Sequence, residues 1–244
     1  MEVSLYSAAS AMNATEKWQD MIADNLSMAN VPGARQREAV FSAIPVGQSG
    51  LGNDRYVIPS AGSSISFKQG ELIATGNNMD FAVEGPGFLS VQMPDGSKAY
   101  TRDGQFKLNS QGQLINKQGY AVQSTSGPLQ FDPSNPAPIT VTADGQVSQG
   151  ADVKGTLAIT EFSAPQKLTM LGGGLFHNDV PTMLPQTAAN TSVRQGFIEQ
   201  ANTSPTLAMA SMITSMRMFE SNEKVMAMQS DRMAKTITDL SGTN

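Results

Sequence analysis

The chain is predicted to be an α+β protein. Long N- and C-terminal helices form a coiled-coil-like arm, and a β-rich middle domain of antiparallel hairpins lies between them. Three observations predict this. The last stretch, Ser204 to Leu240, read at a 3-then-4 spacing gives Met209, Met212, Met216, Phe219, Glu223, Met226, Ser230, Met233, Ile237 and Leu240, eight of which are apolar. The first stretch repeats the spacing in Leu5, Ala8, Met12, Thr15, Gln19, Ile22, Leu26 and Ala29, six of them apolar. From Met79 onward the pattern changes to short alternating runs separated by Asp-Gly or Gly, which accept positive φ and turn antiparallel hairpins.

Taken in order, the N-terminal helix runs to Asn30-Val31-Pro32-Gly33, where proline and glycine end it. From Arg35 to Ser66 only short strands are expected, at Ala39-Val40-Phe41 and Tyr56-Val57-Ile58, with Gly47 to Asp54 a loop. The β-rich body then shows runs at 80–84, 88–93, 98–102, 105–108, 113–115, 120–122, 139–141 and 146–148, and one more from Gly155 to Phe162. Its turns fall at Gly85, Gly87, Asp95, Gly96, Asp103 and Gly104. A loop-rich return follows, with strands at Leu175-Phe176 and Val193 to Glu199. Ser204 and Pro205 supply a capping hydroxyl and a first-turn proline for the C-terminal helix. The domains are therefore 1–33 (N-terminal helix), 34–78 (connecting segment), 79–167 (β-rich body), 168–203 (loop and β return) and 204–244 (C-terminal helix). Antiparallel pairing of the helices with Ala29 near Met209 sets Thr15 opposite Glu223, one polar layer that fixes register.

Composition narrows the function. The net charge is -5 and no block of Lys or Arg stands out, which argues against nucleic acid and anionic lipid as partners. With no Cys, disulfides and Cys-based zinc sites are excluded. No apolar run is long enough to span a bilayer as a helix, and no basic n-region precedes the first helix, so a cleaved secretory signal is not expected. Most of the 15 Met lie in the two end segments, and methionine suits a surface that adapts to several neighbours.

No constellation supports an enzyme, a metal or a cofactor. His177 is the sole histidine and reads as an exposed loop residue. Gly172-Gly173-Gly174 and Gly85-Pro86-Gly87 lack the strand-to-helix context and Lys-Ser/Thr pair of a phosphate loop. Asp95, Asp103 and Asp144 each precede glycine and fit hairpin turns better than a calcium loop. Apolar residues off the seam, Met21, Ile213, Val225 and Met228, would stay wet in a two-helix hairpin. Exposed stripes of this size mark association surfaces, and a head-to-tail contact between copies builds a helical filament.

Three blocks resemble a known family. The first joins Leu5-Tyr6-Ser7-Ala8-Ala9-Ser10-Ala11-Met12 to Ile22-Ala23-Asp24-Asn25-Leu26-Ser27-Met28-Ala29-Asn30-Val31-Pro32-Gly33. The second runs from Met79-Asp80-Phe81-Ala82-Val83-Glu84-Gly85-Pro86-Gly87-Phe88-Leu89-Ser90-Val91 through Asp95-Gly96 to Tyr100-Thr101-Arg102-Asp103-Gly104-Gln105-Phe106. The third is Gly196-Phe197-Ile198-Glu199-Gln200-Ala201-Asn202 with Met212-Ile213 and Arg217-Met218-Phe219-Glu220. Together they resemble the axial rod and hook proteins of the bacterial flagellum, and within that group the basal-body rod proteins. The short passage from Phe41 to Asp80, and Thr203-Ser204-Pro205 where many members have an Asn-Val-like helix start, are most similar to the proximal-rod type that resembles the distal-rod protein. Ala34 stands where the family usually has an aromatic.

The resemblance implies a non-enzymatic structural subunit that polymerises head-to-tail through its terminal helices into the periplasm-spanning drive shaft. Its implied partners are itself, other proximal and distal rod proteins and the flagellar type III export apparatus, with no cofactor, nucleic acid or small-molecule substrate. The implied location is the basal-body rod in the periplasmic space, reached without a cleaved signal peptide. Packing between subunits then falls to Leu5, Met12, Trp18, Ile22, Leu26, Met209, Met212, Met216, Phe219, Met226, Met233 and Ile237. The competing class is a secreted or surface oligomeric module whose β domain recognises a ligand.

Overall fold

Helix formation takes both ends of the chain. In a computed structural model that describes residues 2–46 and 56–241, α1 spans Glu2–Met28 and α2 spans Pro205–Ser241. Side chains are described over 6–43 and 59–239 and at Ser241, so Leu5, Leu240 and the loop expected at 47–54 lie outside the described parts. Pro205 opens α2, and the Leu207 N–H donates to Ser204 Oγ over a long 3.5 Å. Between the helices the described strand pairs are antiparallel, and the strands are short except in one hairpin, β1 (Arg37–Val46) and β2 (Tyr56–Ile65), paired from Arg37↔Ile65 to Val46↔Tyr56.

The chain divides into two units. The first comprises 1–27, 37–65 and 204–244, that is, both helices and the β1–β2 hairpin. The second comprises 28–36 and 66–203.

Within the first unit α1 buries two neighbouring rows. Ala8, Thr15 and Ile22 follow the expected spacing, and Ala14, Met21 and Asn25 are buried beside them. The hairpin engages α1: Trp18 meets Phe41 edge-on at 5.7 Å, and Asn25 brackets Arg37 by accepting its N–H and donating to its carbonyl. A two-stranded hairpin is marginal alone in water, so a helix against it supplies the missing apolar contact.

The coiled-coil-like arm is corrected by the structure. There is one helix at each end, 27 and 37 residues long, and they do not wind together along the expected seam. On α2 the inward residues are Ala208 and Ser215, with Met212, Phe219, Asn222, Met226 and Met233 half-buried. Met209, Met216 and Ile237, one whole row of the seam, are exposed. The inward face is thus turned by one residue from the row of large apolar side chains. The polar layer follows the same shift: Asn222 Nδ2, not Glu223, points to Thr15 Oγ1, at 3.5 Å, and Glu223 is exposed. Small residues at 208 and 215 admit closer approach than Met at 209 and 216, and the hairpin takes part of α1's apolar face.

The second unit is built on an antiparallel sheet. Labelling Leu72–Ala74 as β3, Phe81–Glu84 as β4, Phe88–Gln92 as β5 and Lys98–Thr101 as β6, its main path runs 169–172, 175–177, β6, β5, 121–124, 114–115, 107–108. A three-stranded sheet (139–141, 146–149, 152–156) covers the same core of Phe81, Val83, Leu89, Val91, Leu114, Val122, Leu129, Val147 and Leu157. Phe81, Ala82 and Val83 are all fully buried, so β4 is covered on both faces instead of alternating. The single strand expected from Gly155 to Phe162 is interrupted at Leu157 and resumes at Ile159–Glu161. The strand expected from Val193 to Glu199 is likewise broken at Gly196, whose φ of +79° turns the chain between pairings. Residues 192–195 pair with β4, and 197–199 pair with β3.

Candidate functional site

The outward faces of α2 carry the largest accumulation of uncovered apolar side chains among the described residues. Leu207, Met209, Ile213, Met216, Met218, Met228 and Ile237 are each more than half exposed. Met209, Ile213 and Met216 follow one another at i, i+4 and i+7 and form one continuous ridge. Of the residues expected to pack between subunits, Met209, Met216 and Ile237 stand in the open, and Met212, Phe219, Met226 and Met233 are half-covered. On α1, Ile22 is buried, Met12 and Leu26 are half-buried, and Trp18 lies against Phe41 of the same chain.

The second unit holds a charged knot where the chain leaves α1 and where it returns to α2. Arg35, Arg102 and Glu199 are almost wholly buried. Glu199 Oε1 lies 2.7 Å from Arg35 Nη2, and Oε2 lies 3.3 Å from Arg102 Nη1. The Arg35 contact is aligned for charge but not for a hydrogen bond, and Arg35 Nε and Nη1 and Arg102 Nε meet no acceptor. Two guanidinium groups therefore share one carboxylate. Burial, and then the neighbouring Arg35 charge, pull the Arg102 pKa down to about 10, which leaves it charged at neutral pH. Its guanidinium also lies 4.8 Å from the centre of the Phe88 ring.

Backbone bonds tighten the knot. The Gly33 N–H donates to the Glu199 carbonyl at 2.8 Å, and the Gly70 N–H to Glu199 Oε1 at 2.7 Å. Asn202 accepts from the Gln36 N–H and donates to the Ser66 and Lys68 carbonyls. Gly33 has φ +69°, and a methyl group there would fall 2.3 Å from the Arg102 carbonyl carbon. Gly104 presses on Phe81 in the same way, with a methyl position 1.7 Å from the Phe81 carbonyl oxygen. All three sequence blocks that carry the resemblance meet here, through Gly33, Arg102 and Glu199. Sequence reasoning missed the knot because buried charge opposes the hydrophobic pattern; an acidic residue closing the run Gly196-Phe197-Ile198-Glu199 was the available signal.

The other expected turn residues lie in unit two. Asp95 Oδ1 accepts from both the Ser97 N–H and hydroxyl, bonds that hold its pKa below the usual value, and Gly96 takes φ +84°. Asp103 Oδ1 accepts the Gln105 N–H, and burial raises its pKa. The Gly85 and Gly87 N–H groups donate to Gln69 Oε1 and Thr191 Oγ1. His177 is partly exposed and lies 3.5 Å from Asp179. Among the described residues no cluster of His, Cys, Asp or Glu could hold a metal ion, and no helix is long and apolar enough to cross a membrane. A hollow of about 450 Å³ beside Ser90, Tyr100 and Thr160 contains one carboxylate, Asp144.

A helical unit with an uncovered apolar ridge, and a β-rich unit with a buried charged knot, define a class of protein whose chemistry is packing. The comparisons agree. The model described as the flagellar hook protein FlgE/F/G D1 domain matches residues 82–149. That of the flagellar basal body rod FlgEFG protein C-terminal matches 194–240, and that of the flagella basal body rod protein matches 5–35. The chain is 34% identical to a flagellar basal-body rod protein FlgF of Mesorhizobium japonicum, over 97% of this chain and 98% of the relative. It is 30% identical to a FlgG of Borreliella burgdorferi (91% and 92% covered) and 30% identical to a FlgF of Caulobacter vibrioides (93% of each). The chain belongs to the flagellar basal-body rod protein family.

Proposed function

We propose that the chain is a non-catalytic structural subunit of the flagellar rod that polymerises head-to-tail through its terminal helices into the shaft crossing the periplasm. One observation carries the reading: the ridge of Met209, Ile213 and Met216 is uncovered within the chain. Uncovered apolar surface gains free energy when copies of the chain cover it. Met12, Leu26, Met212, Phe219, Met226, Met233 and Ile237 complete the packing set, with Leu5 at its N-terminal end, and Trp18 and Ile22 support it from inside the chain.

The reading extends to the proximal-rod type that resembles the distal-rod protein, supported by the short passage from Phe41 to Asp80 and by Thr203-Ser204-Pro205 at the start of the last helix. Its neighbours are then other rod proteins, and its route is the flagellar type III export apparatus. The experiment is Met216→Asp in motile cells. Met216 is half exposed in the single chain, so the variant folds normally, but a carboxylate buried between subunits is costly. Basal bodies purified from these cells should lack a completed rod. Intact rods and normal swimming would refute the reading. Release of the wild-type chain from cells lacking flagellar export would favour the surface-module class instead.

A further inference from the structure

We infer that the Arg35–Glu199–Arg102 cluster is a register lock for the strand that leads into α2, with Glu199 as its positioning residue; this rests on the assembly reading above. The strand 197–199 is three residues long and pairs with β3 as Phe197↔Ala74, Ile198↔Ile73 and Glu199↔Leu72. Its sequence does not specify that pairing by hydrophobicity. Glu199 is fully buried while Ile198 is only half-buried, the reverse of what apolar burial alone selects.

A slip of one residue would exchange the faces and move the entry to α2 by about 3.3 Å. The charges forbid it. In the observed register Glu199 meets Arg35 and Arg102, accepts the Gly70 N–H on its side chain and accepts the Gly33 N–H on its carbonyl. In a slipped register the two buried guanidinium groups would lose the carboxylate they share, and Arg102 would keep only the more distant charge of Glu161.

Stability is not the reason for such a cluster. Buried ion groups with unmatched donors, here Arg35 Nε and Nη1 and Arg102 Nε, are commonly replaced by apolar residues at no loss. The lock supplies uniqueness instead. It holds residues 33–36, which follow α1, and residues 199–202, which precede α2, in one fixed relation within the second unit.

The test is a neutral cluster, Arg35→Met with Arg102→Met and Glu199→Gln, in which Gln keeps the acceptor for Gly70. The urea midpoint of the β body should equal or exceed that of the wild type. Hydrogen exchange at the Gly33 and Gly70 amides should rise at least tenfold, and swimming should fall at least tenfold. Wild-type exchange at these amides, or wild-type swimming, overturns the inference. So does a triple variant that fails to fold, because the charges would then carry stability and not register. The exchange measurement makes no reference to assembly. Normal swimming of Met216→Asp would therefore refute the assembly reading separately.

Discussion

Replacing Gly33 by Ala puts a methyl group into the knot at its tightest point. Two costs are expected. The left-handed conformation at φ +69° costs an L-residue about 1–2 kcal/mol. The new methyl would also lie 2.3 Å from the Arg102 carbonyl carbon and 2.5 Å from the Asp103 nitrogen. Both are backbone atoms that cannot swing aside, and overpacking of this kind costs about 1–3 kcal/mol. Restricting the unfolded chain offsets about 0.4–1 kcal/mol. A net loss of about 1–4.6 kcal/mol is expected, read as a drop of about 0.5–2.3 M in the urea midpoint at a slope near 2 kcal/mol per M. Gly76 supplies the control, since its φ is +71° but nothing lies within 4 Å of its methyl position. Gly76→Ala carries only the conformational cost. If Gly33→Ala proves no more destabilising than Gly76→Ala, the close approach of residue 33 to Arg102 is wrong.

Three further outcomes follow from the packing. Phe41→Ala should shift the emission of Trp18, the sole tryptophan, to the red and cost about 0.5–1.5 kcal/mol, because the edge-on contact at 5.7 Å is lost; unchanged emission would separate the hairpin from α1. Leu114→Ala, at a fully buried position of the sheet core, should cost about 2–5 kcal/mol in urea unfolding, and a loss under about 1 kcal/mol would count against that core. Asp103 concerns pH. Burial raises its folded pKa, so its contribution favours folding below the unfolded value and is lost as pH rises through the folded value. Asp103→Asn keeps the acceptor for the Gln105 N–H, so it should be more stable than wild type at neutral pH and lose that advantage at pH 3; an advantage independent of pH would contradict the assignment.

Periodicity revealed the existence of both helices, and Asp-Gly and Gly turns revealed the hairpins of the body, because each signal is local. The phase of α2 was not legible. Met209 and Met216 outrank Ala208 and Ser215 in hydrophobicity, yet the small residues face inward and the large ones stay out. A pattern of apolar residues records that a surface will be covered, without recording whether the cover is the same chain. The ten-residue length of β1 and β2 was hidden by Pro45 and Pro59, and by Gly62 within β2. The knot was hidden for a different reason: Arg35 and Glu199 lie 164 positions apart, and each reads alone as a surface charge.

The chain has no cysteine, so Met216→Cys introduces the sole thiol, on the exposed ridge of α2. Maleimide labelling of this variant in intact basal bodies, compared with cells blocked in flagellar export, tests most directly whether copies of the chain cover that ridge. The thiol should react freely in the export-blocked cells and be protected in the basal body. Equal labelling in both would show that the ridge remains in water and that the rod is held together elsewhere.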